Sequence, residues 1–110
     1  MKVLIAAIGL AVSSVCVAGS QGGMVGAIFV RASDGLIYFD VVNGDAKTGS
    51  PSCATFSYWI IKDENSNAGK QQYAMLLAAQ AQGKTITVIG LNSCTRWSDG
   101  EDVDSILLIN

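Results

Sequence analysis

Four carboxylates, a cysteine and a tryptophan lie close together in the stretch CTRWSDGEDVD (94–104), near the end of the chain. The carboxylates belong to Asp99, Glu101, Asp102 and Asp104. Carboxylate oxygens bind hard metal ions, and a facing pair of carboxylates performs acid–base catalysis. The cysteine allows a disulfide instead. The residue types therefore fit three kinds of site: a metal loop, a catalytic acid cluster, or a turn pinned by a disulfide.

The spacing of these residues argues against a metal. A calcium loop of the EF-hand type lies between two helices and ends in a bidentate Glu, and this stretch has neither feature. Zinc in structural sites prefers Cys and His ligands, and the chain contains no His. We therefore expect neither a metal nor a cofactor.

A catalytic site also fits poorly. Asp102 and Asp104 lie two residues apart on a predicted strand, about 7 Å along one face, which is a permissible separation for glycosidase carboxylates. A solvated strand start, however, has nothing to raise the pKa of either one. Without His, a Ser or Cys nucleophile lacks its usual base. The sequence predicts a protein that is not an enzyme, with these acids as solvated turn and strand-end residues.

The first nineteen residues have the layout of a secretory signal, with Lys2, an apolar run and the small residues Ala18 and Gly19 at its end. The run is short for a membrane span, and no basic residue follows it to stop transfer. Cleavage after Ala18 or Gly19 leaves one domain, 20–110. We expect an exported protein, periplasmic or secreted, with no membrane span after the signal is removed.

Two cysteines remain in the mature chain. Cys16 leaves with the signal; the alternative is a lipoprotein signal at Cys16, which Val15 fits poorly. Cys53 and Cys94 form an even pair in an exported protein, so the sequence predicts a disulfide between them. Closing a loop of this length contributes about 3–4.5 kcal/mol in chain-entropy models.

The charge of the mature domain limits its partners. Six basic residues face nine acids, for a formal charge of −3. Nucleic acids and anionic membranes are bound through basic patches. The composition therefore excludes both as expected partners.

The hydrophobic patterning predicts five strands and one helix. The strand patterns cover 23–32, 35–43, 53–64, 84–92 and 102–110, and the helix pattern covers 65–83. Asp34-Gly35 between the first two runs is a hairpin signal. The helix has an N-cap at Ser66 or Asn67, a C-terminal glycine at Gly83, and one apolar stripe. The stripe consists of Tyr73, Leu76 and Leu77, followed by Gln80.

Alternation along each strand predicts which side chains face the core. In the second strand Ile37, Phe39 and Val41 are expected inside, which leaves Tyr38 outside. In the third strand either face fits, and we favour the one with Phe56, Tyr58 and Ile60. Trp59 then lies on the surface. Trp97 is expected as a plug over one end of the fold, with a surface contact as the alternative.

The order β-β-β-α-β-β makes the protein mainly β with one helix. Five strands with a helix between the third and fourth is the chain order of an OB-fold-like five-stranded barrel. The alternative is an open antiparallel sheet with one packed helix. A barrel removes the edge strands that a short open sheet exposes.

The last strand is apolar on both faces. If Val103 and Leu107 are inside, Ile106 and Leu108 point outward, and Ile89 and Leu91 pose the same problem on the fourth strand. Strands that are apolar on both faces are covered on both sides. We therefore hypothesise a homo-oligomer.

Part of the chain resembles the B subunits of pertussis-like and subtilase-type bacterial toxins. The resemblance rests on the helix QQYAMLLAAQAQ, on Gly83-Lys84, and on IGLNSC (89–94), and it covers roughly 53–94. Nearly the whole mature chain also resembles short exported bacterial proteins that share a DG-I-Y-F hairpin, a GK-x-x-T-V strand and a C-x-x-W-x-D ending. This second resemblance brings no function with it.

The toxin resemblance implies an OB fold, a ring of subunits and glycan binding on the outer surface. The chain has one disulfide where those subunits have two, and their sugar-contacting residues match no positions here. The aromatic side chains that could stack on a sugar are Tyr38, Tyr58, Trp59 and Trp97, and we select Trp59, Trp97 and Tyr38 as candidate ligand contacts. The predicted function is an exported binding module for a glycan or a protein partner. The alternative is a structural or accessory envelope protein without a ligand.

Overall fold

The computed structural model describes residues 18–109. Residues 1–17 of the predicted signal therefore lie outside the described residues. Six elements follow one another in the described chain: β1 (Ser20–Val30), β2 (Ile37–Val42), β3 (Trp59–Ile60), α1 (Asn67–Gln82), β4 (Thr85–Gly90) and β5 (Glu101–Leu108).

The strands close into a barrel in the order β1-β2-β3-β5-β4, with β4 paired back onto β1. The β3–β5 pair is parallel, and the other pairs are antiparallel. This is the OB-fold-like barrel that the element order predicts. The open-sheet alternative is wrong, because each of the five strands pairs with a neighbour on both sides and none is left as an edge.

The β1–β2 hairpin is confirmed, although its loop spans 31–36 rather than two residues. The loop is closed by hydrogen bonds from the backbone N–H of Arg31 to the carbonyl of Leu36 and from that of Gly35 to the carbonyl of Arg31. Gly35 has a φ of 76°, which explains the glycine. The inward face of β2 is also confirmed, since Ile37, Phe39 and Val41 are all buried.

The third strand is much shorter than predicted, and its inward face is the opposite one. Only Trp59 and Ile60 pair in the sheet, and residues 53–58 belong to the β2–β3 loop. Trp59 pairs with the inward-facing Phe39 and is 0% exposed, whereas Phe56 is 54% exposed. The favoured face was wrong because both faces carry aromatic residues, so alternation alone does not tell them apart.

The helix begins and ends as predicted. The Ser66 side chain accepts a hydrogen bond from the Gly69 backbone N–H at 3.0 Å, and Gly83 ends the helix in the left-handed region at φ 61°. Leu76 is buried against the barrel core, but Leu77 is exposed. The apolar stripe of the helix that packs on the barrel is therefore narrower than predicted. Two glutamines fix the helix to the barrel. Gln72 donates to the Asp104 carbonyl and Gln80 to the Gly26 carbonyl.

A β-bulge explains the two apolar faces of the last strand. Gly90 pairs with Val103 and Ile89 with Ser105, so Asp104 is an extra residue in β5. An extra residue reverses the alternation beyond it. Val103 and Ile106 are therefore both buried although they lie three residues apart. Leu107 and Ile109 face outward.

The predicted disulfide is confirmed. Cys53 and Cys94 are bonded, with their Cα atoms 6.2 Å apart. The bond joins the β2–β3 loop to the β4–β5 loop (91–100). A backbone hydrogen bond of 3.0 Å from Phe56 to the Asp99 carbonyl holds the same two loops together.

Candidate binding site

Four aromatic side chains pack together on the outer wall of the barrel, within the described residues, and we call them the aromatic cluster. They are Phe29, Tyr38, Tyr58 and Trp97. Phe29 and Tyr38 are cross-strand partners on β1 and β2, and their rings stack with centroids 4.6 Å apart. Tyr58 lies edge-on to both rings. The Trp97 ring lies 5.8 Å from that of Tyr38.

Three members of the cluster, Tyr38, Tyr58 and Trp97, line an open cleft of about 180 Å³, which we call the aromatic cleft. Its lining consists of Tyr38, Phe56, Tyr58, Ile60, Trp97 and Gly100. Ile60 is the register partner of Tyr38 and forms the floor. Gly100 is needed because a Cβ there would lie 2.6 Å from Ile60 Cγ1. The cleft is therefore apolar, and it is built by β2, β3, the β2–β3 loop and the β4–β5 loop.

A chain of ion pairs holds the loops beside this cleft. Arg31 donates two hydrogen bonds to the Asp34 carboxylate, at 2.9 and 2.6 Å, and its guanidinium lies 4.6 Å from the centre of the Trp97 ring. Arg96 donates to both Glu64 oxygens and lies 3.6 Å from Asp34. The hydrogen bonds from Arg31 and Arg96 lower the pKa of Asp34 and Glu64 respectively. Both arginines are thus already paired with carboxylates.

Asp102 ties the β4–β5 loop to the barrel from inside. It is 0% exposed and accepts hydrogen bonds from Ser93 Oγ, from Thr95 N and Oγ1, and from Arg96 N, at 2.6–3.1 Å. Burial alone raises the pKa of Asp102, but these four hydrogen bonds outweigh it and lower the pKa. The carboxylate therefore fixes the segment that carries Cys94 and Trp97.

Glu101 is buried on the other side of the same strand. Its Oε2 accepts hydrogen bonds from the backbone N–H groups of Gly19 and Asn92, at 2.9 and 3.1 Å. Its Oε1 forms an ion pair with Lys47 Nζ at 3.7 Å, which is too far for a hydrogen bond, and neither atom has a hydrogen-bond partner. Desolvation lowers the pKa of Lys47, although Glu101 opposes the shift. Lys47 also lies 3.8 Å from the centre of the Trp59 ring.

The structure brings two of the three predicted ligand contacts together and separates the third from them. Tyr38 and Trp97 come together in the aromatic cleft. Trp59 does not, because it lies in the core with its Nε1 donating to Gln21 Oε1 at 2.9 Å. The expectation that Trp59 is a surface aromatic is therefore wrong. Trp97 is half-buried against the outer wall, outside the core, so the surface alternative holds rather than the plug.

The expectation that the acids are solvated strand-end residues is wrong for two of them. Glu101 and Asp102 are fully buried and hydrogen-bonded to the β4–β5 loop, whereas Asp104 is exposed. Sequence reasoning also missed Phe29, Phe56 and Arg31 as neighbours of Tyr38 and Trp97. The hairpin signal could have found Arg31, because a two-residue loop at Asp34-Gly35 places that residue opposite the outward-facing Tyr38. It could not have found Phe29, which comes opposite Tyr38 only because the observed loop is longer.

No family profile, curated protein or solved structure matches this chain. Within residues 18–109, no group of three or more His, Cys, Asp or Glu side chains is arranged to hold a metal ion. In the same part of the chain no helix is both long and apolar enough to cross a membrane.

Proposed function

We propose that the protein is an exported, non-enzymatic binding module that recognises glycans through the aromatic cleft. The position of the cleft carries this proposal. OB folds bind oligosaccharides and oligonucleotides on the face of strands 2 and 3, between the β1–β2 and β4–β5 loops. Among the lining residues, Tyr38 and Ile60 come from β2 and β3 and Trp97 from the β4–β5 loop. Arg31, from the β1–β2 loop, lies beside the cleft against the Trp97 ring. The cleft thus lies where this architecture binds chain-like ligands.

The size of the cleft favours a single ring as its occupant. Pockets for drug-sized ligands have volumes of about 300–1,000 Å³, and this cleft has about 180 Å³. The apolar face of a pyranose packs against an aromatic ring, and the Tyr38 and Tyr58 hydroxyls offer hydrogen bonds. We therefore propose that one sugar residue of a glycan occupies the cleft, with the rest of the chain along the loops.

Charge favours a glycan over a nucleic acid. Nucleic-acid binding relies on unpaired basic side chains that neutralise phosphates. Arg31 and Arg96, the basic groups beside the cleft, are both paired with Asp34, and Arg96 also with Glu64. The formal charge of −2 for the whole chain points the same way. The resemblance to glycan-binding toxin subunits is independent support, and the disulfide supports export.

Truncating the cleft is expected to weaken glycan binding. Phe56→Ala and Trp97→Ala each remove one ring from the lining, and we expect each to lower affinity by about tenfold, since one aromatic contact contributes up to about 1.5 kcal/mol. The measurement is a glycan array with the purified wild type, followed by titration of the best glycan into each variant.

Phe56→Ala is the safer variant for folding, because Phe56 is an exposed loop residue. Leu77→Ala is the control, since it also removes an exposed apolar side chain but lies on α1, away from the cleft. Its affinity should equal that of the wild type. A wild-type array with no signal would remove the glycan proposal, and binding to single-stranded nucleic acid instead would refute the charge argument.

The second candidate is a structural envelope protein that self-associates. The outer face of β4 and β5 exposes Ile89 at 37% and Leu107 at 39%, and Ile109, directly after β5, is 60% exposed. Thr87 pairs with Leu107 and Ile89 with Ser105, so the Ile89 and Leu107 side chains are diagonal neighbours on one surface. An apolar face on paired strands favours a second copy of the chain as its cover.

Placing a charge on this face is expected to produce a monomer. We expect the wild type to sediment as an oligomer at tens of micromolar, and Leu107→Lys to sediment at the monomer mass, because a buried unpaired ammonium is costly. Val42→Lys is the control, since Val42 is similarly exposed but lies on β2. A monomeric wild type would exclude this self-association.

A further inference from the structure

We propose that export cleaves the chain between Ala18 and Gly19, and that the new α-ammonium group of Gly19 binds the buried carboxylate of Glu101. The juxtaposition that carries this inference is already present in the fold. The Gly19 nitrogen lies 2.9 Å from Glu101 Oε2, and Glu101 is 0% exposed. The small residues that end the predicted signal make this peptide bond a cleavage site.

While residue 18 is attached, the Glu101 carboxylate has one ion-pair partner, Lys47, which lies too far away to donate a hydrogen bond to it. Two neutral backbone N–H groups, from Gly19 and Asn92, bind Oε2. Oε1 has no hydrogen-bond partner, and Lys47 Nζ, at 3.7 Å, has none either. A buried carboxylate oxygen is costly unless it accepts hydrogen bonds, as both oxygens of Asp102 do, or contacts a positive charge directly. An ammonium at Gly19 supplies a positive charge in direct contact with the carboxylate.

The chain around Gly19 is built for this contact. A Cβ on residue 19 would collide with the Glu101 carboxylate, so any residue other than glycine would force the buried carboxylate to shift from its present position. The Gly19 carbonyl accepts a hydrogen bond from Gly90 N at 2.8 Å. Ser20 and Thr48 exchange two backbone hydrogen bonds directly afterwards. These contacts hold the Gly19 nitrogen in place without any residue before it.

The covalent step is a simple hydrolysis by a signal peptidase, a protease that cleaves after small residues. The peptide bond from the Ala18 carbonyl carbon to the Gly19 nitrogen breaks, and one water is consumed. The Ala18 carbonyl becomes a carboxylate on the released signal, and the nitrogen becomes an ammonium. Processing thereby adds a buried ion pair to the barrel, so the mature protein is more stable than its precursor.

The first test compares proteins that differ only at the N-terminus. One begins at Gly19, one keeps Ala18 before it, and one begins at Ser20, each released from a fusion and checked by mass. We expect the folding equilibrium constant at pH 7 to be at least about tenfold larger for the Gly19 form than for the other two, which is the effect of one pKa unit. Equal constants for the Gly19 and Ala18 forms would overturn the proposal.

The pH dependence distinguishes an ion pair from a packing effect. The charged groups that face the Gly19 nitrogen are Glu101 on β5 and Lys47 in the β2–β3 loop; β1, β3 and β4 contribute neutral groups. An unpaired α-amino group has a pKa of about 7.7–8.0, and the Glu101 partner raises it in the folded state. The advantage of the Gly19 form is then full below about pH 7.5 and is lost as pH rises through the raised pKa. A pH-independent advantage would contradict the ion pair.

A second variant tests whether Glu101 is the partner of the Gly19 ammonium group. Glu101→Gln keeps the shape of the side chain and removes its charge, so the difference between the Gly19 and Ala18 forms should disappear in that background. If Glu101→Gln fails to fold in both forms, N-terminal sequencing of the exported wild type still decides the processing site. A sequence that begins at Gly19 supports the proposal, and one that begins at Ser20 overturns it. None of these readouts depends on glycan binding.

Discussion

A Cys53→Ala, Cys94→Ala double variant is expected to lose about 4 kcal/mol of unfolding free energy, because the disulfide closes a separation of 41 residues. Small domains have a total unfolding free energy of about 5–15 kcal/mol, so the loss is a large share. Urea unfolding of the oxidised wild type, the reduced wild type and the double variant measures it.

The control for this experiment is the reductant itself. Reduction should lower the unfolding midpoint of the wild type to near that of the double variant and leave the double variant unchanged. If reduction shifts the wild type by less than about 1 kcal/mol, the entropy argument does not apply here. The disulfide also joins the two loops that carry Phe56 and Trp97. We therefore expect the reduced protein to bind glycan more weakly even where it remains folded.

The barrel was predictable because each of its strands carries a local signal. Asp34-Gly35 marks the hairpin, Ser66 and Gly83 mark the ends of the helix, and the alternation in β2 gives the correct inward face. These features depend on neighbours in the sequence. They hold whatever the rest of the chain does, which is why the element order could be predicted. Closure needed the further argument that a barrel leaves no edge strands.

The errors arose where distant contacts decide the structure. The run 53–64 is predicted as a strand, yet only Trp59 and Ile60 find partners on both β2 and β5. Trp59 lies inside because its register partner Phe39 does. The bulge at Asp104 depends on how β5 meets β4, and no local pattern indicates it. Pairing across the barrel therefore overrode the periodicity in both places.

Only part of the candidate site can be predicted from the sequence, because contacts between distant residues also decide its structure. The alternation along β2 alone predicts that Tyr38 faces outward. Trp97 is a candidate ligand contact because it is an aromatic residue. Their meeting depends on the fold of the β4–β5 loop, which Asp102 holds through bonds to residues six to nine positions away. In sequence, Glu101 and Asp102 look like solvated turn residues. In the fold they are its two fully buried acids among the described residues.

The other large effect is expected from Asp102→Asn. Asn has nearly the same shape, but it carries no charge and has one carbonyl oxygen for the donors of Thr95, Ser93 and Arg96. We expect a loss of about 3 kcal/mol at pH 7, because hydrogen bonds to a charged group contribute about 1.5–3 kcal/mol each and are not additive. Urea unfolding measures the loss, and weaker glycan binding should accompany it, since the loop carries Trp97.

The pH dependence of Asp102→Asn identifies the cause. Because the pKa of Asp102 is lower in the folded state than in the unfolded state, its contribution is fully present above the unfolded value of about 4 and is lost as pH falls below it. The wild type should therefore lose more stability than Asp102→Asn between pH 5 and pH 2. Asp34 and Glu64 also have lowered pKa values. The wild type and Asp102→Asn both retain these two residues, so their titration does not change the difference in stability between the two proteins.

Asp104→Asn is the matched control for this comparison. Asp104 lies two residues along the same strand and is exposed, and its carboxylate accepts a hydrogen bond from the adjacent Ser105 hydroxyl. Surface substitutions of this kind change stability by about 0.5 kcal/mol or less. If the two asparagine variants behave alike, the buried carboxylate does not hold the loop. If only Asp102→Asn is destabilised, and the gap narrows in acid, the charge on that one side chain organises the segment that shapes the cleft.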